Sequence, residues 1–305
     1  MIRPINEVIE KFVENLETAR ASISSSPPTR FSIPTGLPSL DEEIGGVKSG
    51  CITLIAADKL QGKTALALGI ALNAALNEKH RTVIVGTQRN SAQIVLRLIS
   101  QLSEIPIRAF KTGHFEEGDL SKLTPSLELL HDAPIFIKEA PVSIDALIDD
   151  LVTMHNESPL GLVVIDVLNF EETQQSDVDA RRERYQCLTK MKSFAIDHNL
   201  PVVVTTDLDM SLWGVDRQTR LPQWIDIPFE LADMSEVVII PFQPELYDIG
   251  KPLGRTSIAV LQHGADHPLI TSAGYRPEIG KFYPRVIHHE YESKDLERGQ
   301  IIYIE

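Results

Sequence analysis

Apolar residues at Ile5, Val8, Ile9, Phe12, Val13, Leu16 and Ala19 recur at the i, i+3, i+4, i+7 spacing of one buried helical face. Glu7, Glu10, Lys11, Glu14 and Glu17 occupy the other side. The pattern predicts a helix from Pro4 to Ala21, with Pro4 in the first turn, where its missing N–H costs nothing. Ser22-Ile23-Ser24-Ser25-Ser26-Pro27-Pro28 then has the composition of a linker. Residues 1–29 therefore form a helical arm and linker, free to fold back or to dock on a neighbour, and residues 30–305 form the main domain.

From there the period changes. Short runs rich in Val and Ile at Ile52–Ala57, Thr82–Thr87, Pro134–Lys138, Leu162–Val167, Val202–Thr206, Glu236–Pro241 and Ser257–Leu261 predict strands, most of them buried on both faces. Helical patterns over Lys63–Asn77, Ser91–Leu102, Leu120–Leu130, Ile144–His155 and Ala180–His198 lie between them. Alternation of this kind predicts an α/β fold, a mostly parallel twisted sheet with helices on both faces. After Gly264 the pattern weakens, and Tyr275 to Glu305 reads as hairpin strands or a tail.

The first strong chemical signal lies between a strand and a helix. Ile52–Ala57 runs into Ala57-Asp58-Lys59-Leu60-Gln61-Gly62-Lys63-Thr64, which fits the phosphate-loop pattern with Ala57 in place of the first Gly. Such a loop wraps phosphates with backbone N–H groups, and the helix N-terminus adds a favourable dipole. Gly62 allows close approach, Lys63 neutralises the β- and γ-phosphates, and Thr64 offers a hydroxyl to Mg²⁺. The apolar strand Leu162-Val163-Val164-Ile165 ends in Asp166, the acidic partner expected to hold the metal through water. ATP or ADP with Mg²⁺ is the implied ligand.

Composition narrows the setting. Hydrophobic residues at 43% and charged residues at 24% are those of an ordinary globular protein. No stretch approaches the ~20 apolar residues of a membrane span, and the N-terminus has no apolar signal core, so the expected location is cytoplasmic. The two cysteines, Cys51 in a core strand and Cys187 in a helix, allow neither a disulfide framework nor a zinc spacing. With 29 basic and 43 acidic residues the net charge is −14, which argues against strong nonspecific DNA binding by a monomer.

A family resemblance enters through motif order. Thr35-Gly36-Leu37-Pro38-Ser39-Leu40-Asp41, then Gly45-Gly46 and Ser49-Gly50, resembles the lead-in to RecA-type ATPases, which include DnaB helicases, KaiC and RadA-like proteins. Ser91-Ala92-Gln93-Ile94-Val95-Leu96-Arg97, and Ile107-Arg108 with Lys111-Thr112-Gly113, are similar to the motor domain of DnaB-type replicative helicases. The helix Ala180–His198 followed by Leu200-Pro201-Val202-Val203-Val204 matches in order and spacing. The resemblance covers roughly residues 4–270 and implies a RecA-type P-loop NTPase fold. It also implies that the N-terminal helix packs on an adjacent subunit; DnaB's separate N-terminal domain is not in this sequence. The implied partners are further copies of this chain or a helicase.

The departures from the DnaB pattern fall on chemistry. Where such motors place a water-polarising Glu after the second strand, this chain has Gln88, an amide that orients water but takes no proton. Where DnaB proteins place a γ-phosphate-sensing Gln, Asp207 stands, and a triphosphate repels a carboxylate. The segment Gln262-His263-Gly264-Ala265-Asp266-His267 carries neither the Lys nor the Arg that a neighbouring subunit would insert. Loss of an arginine finger costs ~10³ or more in rate. Asp226-Ile227-Pro228-Phe229-Glu230 replaces an Arg-Glu pair. Glu171 and Glu172 are either a substitute base or a solvated loop.

On the DNA side, Glu171–Asp179 is acidic, whereas Trp213, Arg217, Arg220 and Trp224 read either as a base-stacking surface or as loop residues covering the core. Arg181-Arg182-Glu183-Arg184 opens a helix and by default is a solvated face. His263, His267, His288 and His289 read as surface residues rather than a metal cluster. Together these readings predict an ATP-binding, DnaB-family, hydrolysis-impaired protein linked to DNA replication. An active DNA-stimulated ATPase or helicase and a RadA- or KaiC-like regulatory ATPase are the alternatives. Lys63, Gln88 and Asp166 are the expected catalytic positions.

Overall fold

In the computed structural model, the described residues are 32–87, 90–139, 143–166, 177–208, 227, 229–243, 255–262 and 269–284. The arm predicted over residues 1–29 lies outside them. The strands are β1 (Ser32–Ile33), β2 (Val47–Lys48), β3 (Ile52–Ala57), β4 (Thr82–Gly86), β5 (Ile135–Glu139), β6 (Leu162–Asp166), β7 (Val202–Asp207), β8 (Val237–Phe242), β9 (Arg255–Gln262), β10 (Leu269–Arg276) and β11 (Lys281–Tyr283). The helices are α1 (Pro38–Ile44), α2 (Lys63–Leu72), α3 (Ser91–Ser103), α4 (Ile107–Thr112), α5 (Asp119–His131), α6 (Ile144–Glu157), α7 (Asp177–Asp197) and α8 (Phe229–Met234).

One sheet of nine strands runs in the order β11-β10-β9-β8-β3-β7-β6-β4-β5. From β8 to β5 the pairs are parallel; β8-β9, β9-β10 and β10-β11 are antiparallel. Every residue of β3 is buried, as its apolar sequence requires of a central strand. Its side chains still alternate. Ile52, Leu54 and Ala56 pack with Leu147 and Leu151 of α6, Leu188 and Met191 of α7 and Leu231 of α8. Ile55 faces the other way, toward Leu66 and Ile70 of α2, Ile94 and Leu98 of α3 and Leu40 of α1.

Helix α2 is apolar nearly all round, the composition of a helix enclosed by other elements. It continues without a break into one π-helical turn over Asn73–Asn77, so the helix predicted to Asn77 has the right length but a wider last turn. Helices α3 and α6 begin where side chains cap them: Asn90 accepts the Gln93 N–H at 3.0 Å and Ser143 accepts the Ala146 N–H at 3.2 Å. The Thr35–Asp41 motif closes on itself, with the Thr35 N–H donating to Asp41 Oδ1 at 2.7 Å. Gly36, at φ +86°, lies where a Cβ would stand 3.1 Å from Asn73 Cγ, and Asn73 Nδ2 donates to the Pro34 carbonyl at 2.8 Å. That motif therefore locks the lead-in onto the far end of α2.

Several expectations are corrected. Strand β5 is shifted one residue from the predicted Pro134–Lys138 and is not buried on both faces. It is the sheet's edge, and Lys138 and Glu139 suit an edge. Cys51 precedes β3 rather than lying in it, although its carbonyl accepts the Val202 N–H at 3.1 Å. The terminal hairpin starts at Leu269, before the predicted Tyr275, because β10 lies on β9 with exposed Leu269 and Ile270 that hide its alternation. Both cysteines are unpaired, and burial pushes the Cys187 thiol up to about 11.

Candidate phosphate-binding site

Parallel pairing brings several strand ends to one edge. Ala57 is in register with Asp207, and Gly86 is in register with Asp166. Loops leaving this edge of an open parallel sheet form the crevice where such folds take ligands. The loop Ala57–Thr64 leaves β3 at its centre and enters α2.

The loop's backbone is set by two left-handed residues, Leu60 at φ +68° and Gly62 at φ +91°. Leu60 is 82% exposed at the crown, a position where an apolar side chain gains nothing. At Gly62 a Cβ would lie 2.9 Å from Phe282 Cζ and 3.1 Å from Tyr275 Cζ, so Gly is required both by conformation and by space. Those two rings stack with centroids 4.4 Å apart. Gln61 is buried; its Oε1 accepts the Gln243 N–H at 2.6 Å, and Gln243 Nε2 donates to the Leu60 carbonyl at 3.2 Å. Within the loop the Lys59 N–H donates to Asp58 Oδ1 at 2.7 Å.

On the crevice side, Thr64 Oγ1 donates to Asp166 Oδ1 at 2.9 Å, and Thr205 Oγ1 donates to the same oxygen at 3.1 Å. Asp166 is 1% exposed; hydroxyl donors make such a buried carboxylate tolerable. The Thr87 hydroxyl donates to the Asp166 carbonyl at 3.3 Å. Lys63 Nζ lies 2.5 Å from Asp207 Oδ1, with the lysine side chain 12% exposed and the aspartate 49%. The residues fit a nucleotide phosphate chain with Mg²⁺: a loop turned by Gly62, one nearly enclosed ammonium, and hard oxygen donors from Thr64 and Asp166 on its floor.

The structure thus brings together Ala57, Asp58, Lys59, Leu60, Gln61, Gly62, Lys63, Thr64 and Asp166. Of these, Gln61 is bonded to the backbone just past the end of β8. Gln88, Glu171, Glu172, Trp213, Arg217, Arg220, Trp224, His263, His267, His288 and His289 lie outside the described residues. In the Arg181–Arg184 run, Arg182 is exposed. Asp207 is corrected in one respect: it extends β7 by a residue and serves as the counter-ion of Lys63. Sequence reasoning missed Thr205, whose only signal is a hydroxyl at the polar end of an apolar strand. It also missed Gln243, Tyr275 and Phe282, which no spacing connects to the loop. Glu139 ends the edge strand; hydrogen bonds from the Ser91 side chain and then from the Ser91 N–H, at 2.6 Å, hold its carboxyl below the ordinary range and anchor the start of α3. Among the described residues no group of three or more His, Cys, Asp or Glu could hold a metal, and no helix is long and apolar enough to cross a membrane.

Comparison with known proteins agrees with this architecture. A family model described as the DnaB-like helicase C terminal domain matches residues 32–263. Replicative DNA helicase DnaC of Bacillus subtilis (strain 168) is 27% identical over 249 residues, 80% of this chain and 53% of the relative. Replicative DNA helicase DnaB of Geobacillus stearothermophilus is 28% identical over 220 residues, 71% of this chain and 48% of the relative. The chain spans about half the length of these curated relatives. Among solved structures, a DnaB-like replicative helicase, described with its interactions with primase, superposes with a TM-score of 0.76 at 21% identity, covering 90% of this chain and 66% of that one. A solved ATPase domain superposes with a TM-score of 0.81 at 20% identity, covering 94% of this chain and 100% of that one.

Proposed function

The chain belongs to the DnaB-like helicase C-terminal domain family, and on that premise we propose that it binds ATP or ADP with Mg²⁺, turns ATP over weakly or not at all, and serves DNA replication as a nucleotide-dependent scaffold. The observation that carries the reading is the meeting of Thr64 and Asp166 at 2.9 Å, from segments 102 residues apart, on the floor of the phosphate loop. Lys63 and the loop N–H groups would hold the phosphates, and Thr64 and Asp166 would hold Mg²⁺. The metal supplies charge neutralisation at the phosphates when bound.

Weak turnover is supported by the sequence around the site. Gln88 stands where a proton-accepting Glu is expected, and 262–267 contain neither Lys nor Arg. Self-association, or packing on a helicase, through the arm at residues 1–29 is part of the same proposal. Deleting residues 1–22 is expected to lower the oligomer size measured by light scattering; an unchanged size removes the arm from the proposal.

The deciding experiment is steady-state ATP hydrolysis with and without single-stranded DNA, with Lys63→Ala as the blank. Turnover equal to the blank, together with nucleotide-dependent stabilisation of the wild type, is the expected outcome. DNA-stimulated turnover at ~10 s⁻¹, the median for enzymes, would establish the alternative, a working motor with another base.

A further inference from the structure

We infer that Asp207 is a charge gate on the phosphate loop, making the site prefer a nucleoside diphosphate to a triphosphate. The inference rests on the nucleotide-holding reading above and specifies the ligand that the site takes.

In loops of this type, backbone N–H groups cradle the α- and β-phosphates while the lysine reaches the β- and γ-phosphates. The lysine tip thus marks where the third phosphoryl group sits. In this chain that tip, Lys63 Nζ, lies 2.5 Å from Asp207 Oδ1. The carboxylate is held there by backbone: Asp207 is in register with Ala57, the last residue of β3, and the next N–H, that of Leu208, donates to the Ala57 carbonyl at 3.1 Å. Strand β7 therefore delivers a negative charge to the place a γ-phosphate needs.

A diphosphate meets less of the conflict, because the loop's N–H groups hold both its phosphoryl groups and Lys63 has only the β-phosphate to share with Asp207. A triphosphate must either share Lys63 with Asp207 or turn the carboxylate out. Asp207 is 49% exposed and has water to turn toward, so the gate is a penalty rather than a block. Of the site's other carboxylates, Asp166 is buried below the loop and bonded to Thr64 and Thr205, and Asp58 accepts the Lys59 N–H within the loop; neither is paired with Lys63 in the way Asp207 is.

Like charges a few ångströms apart near a protein surface repel strongly enough to change affinity about tenfold or more. The test is calorimetric titration of wild type, Asp207→Asn, Asp207→Gln and Lys63→Ala with ADP and with AMP-PNP, all with Mg²⁺. Wild type is expected to bind ADP about tenfold tighter than AMP-PNP. The Asn and Gln variants are expected to bring the two within about twofold by tightening AMP-PNP. AMP-PNP binding that appears only in these variants would support the gate in its strongest form. Equal wild-type affinities, or a preference that survives both substitutions, would overturn the gate and leave nucleotide holding intact. Weaker AMP-PNP binding in the variants would make Asp207 a cation ligand and also overturn it. If wild type and both variants melt cooperatively yet bind neither nucleotide, the gate falls together with the nucleotide-holding reading.

Discussion

The two faces of the phosphate loop are held by different kinds of force. The outer face rests on neutral groups: Gly62 against the stacked rings of Tyr275 and Phe282, and Gln61 and Leu60 against Gln243. The inner face is held by charge, with Lys63 on Asp207 and Asp166 beneath Thr64 and Thr205. Neutral packing gives the loop its shape whatever the charges across the crevice do. That separation lets the loop's shape be kept independently of the charged residues placed across the crevice from it.

The comparison is broken most severely at Gly62, the residue on which both faces depend. Gly62→Ala imposes a left-handed backbone on a residue with a Cβ and drives that Cβ into Phe282. A loss of about 3 kcal/mol is expected from strain and overpacking together. That would lower the melting temperature by about 5 °C, with nucleotide affinity lost as well. Phe282→Ala tests the outer face alone. Phe282 is half-buried, so the loss is about 2 kcal/mol, below the range for a fully buried ring. Thermal melts of the nucleotide-free protein check both; an unchanged melt for Phe282→Ala would mean that the hairpin does not support the loop.

Thr205→Val tests the inner face. It removes one of the two hydroxyls on Asp166 Oδ1 and keeps the shape, at an expected cost of about 1.5 kcal/mol. Its Mg²⁺-dependent nucleotide affinity should fall by more than its melting temperature indicates, whereas Phe282→Ala should lower both in proportion.

The smallest effect belongs to the hairpin's outer rim. Burial works to raise the Glu104 carboxyl, but Lys281 at 2.6 Å, with Tyr283 and Arg276, holds it below the ordinary range. The folded state thus binds this proton less readily than the unfolded chain. The stabilisation is present above the ordinary carboxylate range and is lost as pH falls through the lowered value. Burial and the Glu104 charge raise Tyr283 to about 12. Its contribution is therefore present below the ordinary tyrosine range and is lost as pH rises through the shifted value. Glu104→Gln is expected to cost less than about 1 kcal/mol near neutrality, because the pair is partly exposed. It should also flatten the acid limb of the stability profile measured by denaturant melts. An acid limb identical to wild type would remove Glu104 from the hairpin's support.

The inner face is largely legible in the sequence, because its residues are consecutive in the loop or sit at a strand's end. Lys63, Thr64 and Asp166 announce themselves by type and position. The outer face is not legible there. Tyr275, Phe282 and Gln243 reach the loop only through sheet order, and nothing in their spacing says that β9, β10 and β11 extend the sheet beyond β8. Asp207 stands out in the sequence as a carboxylate out of place, yet its pairing with Lys63 depends on the register of β7 with β3. Edge strand β5 misleads for the opposite reason, since its apolar residues imitate those of a buried strand.

The contact of Phe282 with Gly62 also sets an order of events during synthesis. The two residues are roughly 220 positions apart. At ~5–20 residues per second a ribosome takes about 10–40 s to travel from one to the other. Throughout that interval the loop has left the ribosome, or is leaving it, with its outer wall still unmade. A nascent chain of this protein therefore carries a phosphate loop in sequence long before it carries one in shape.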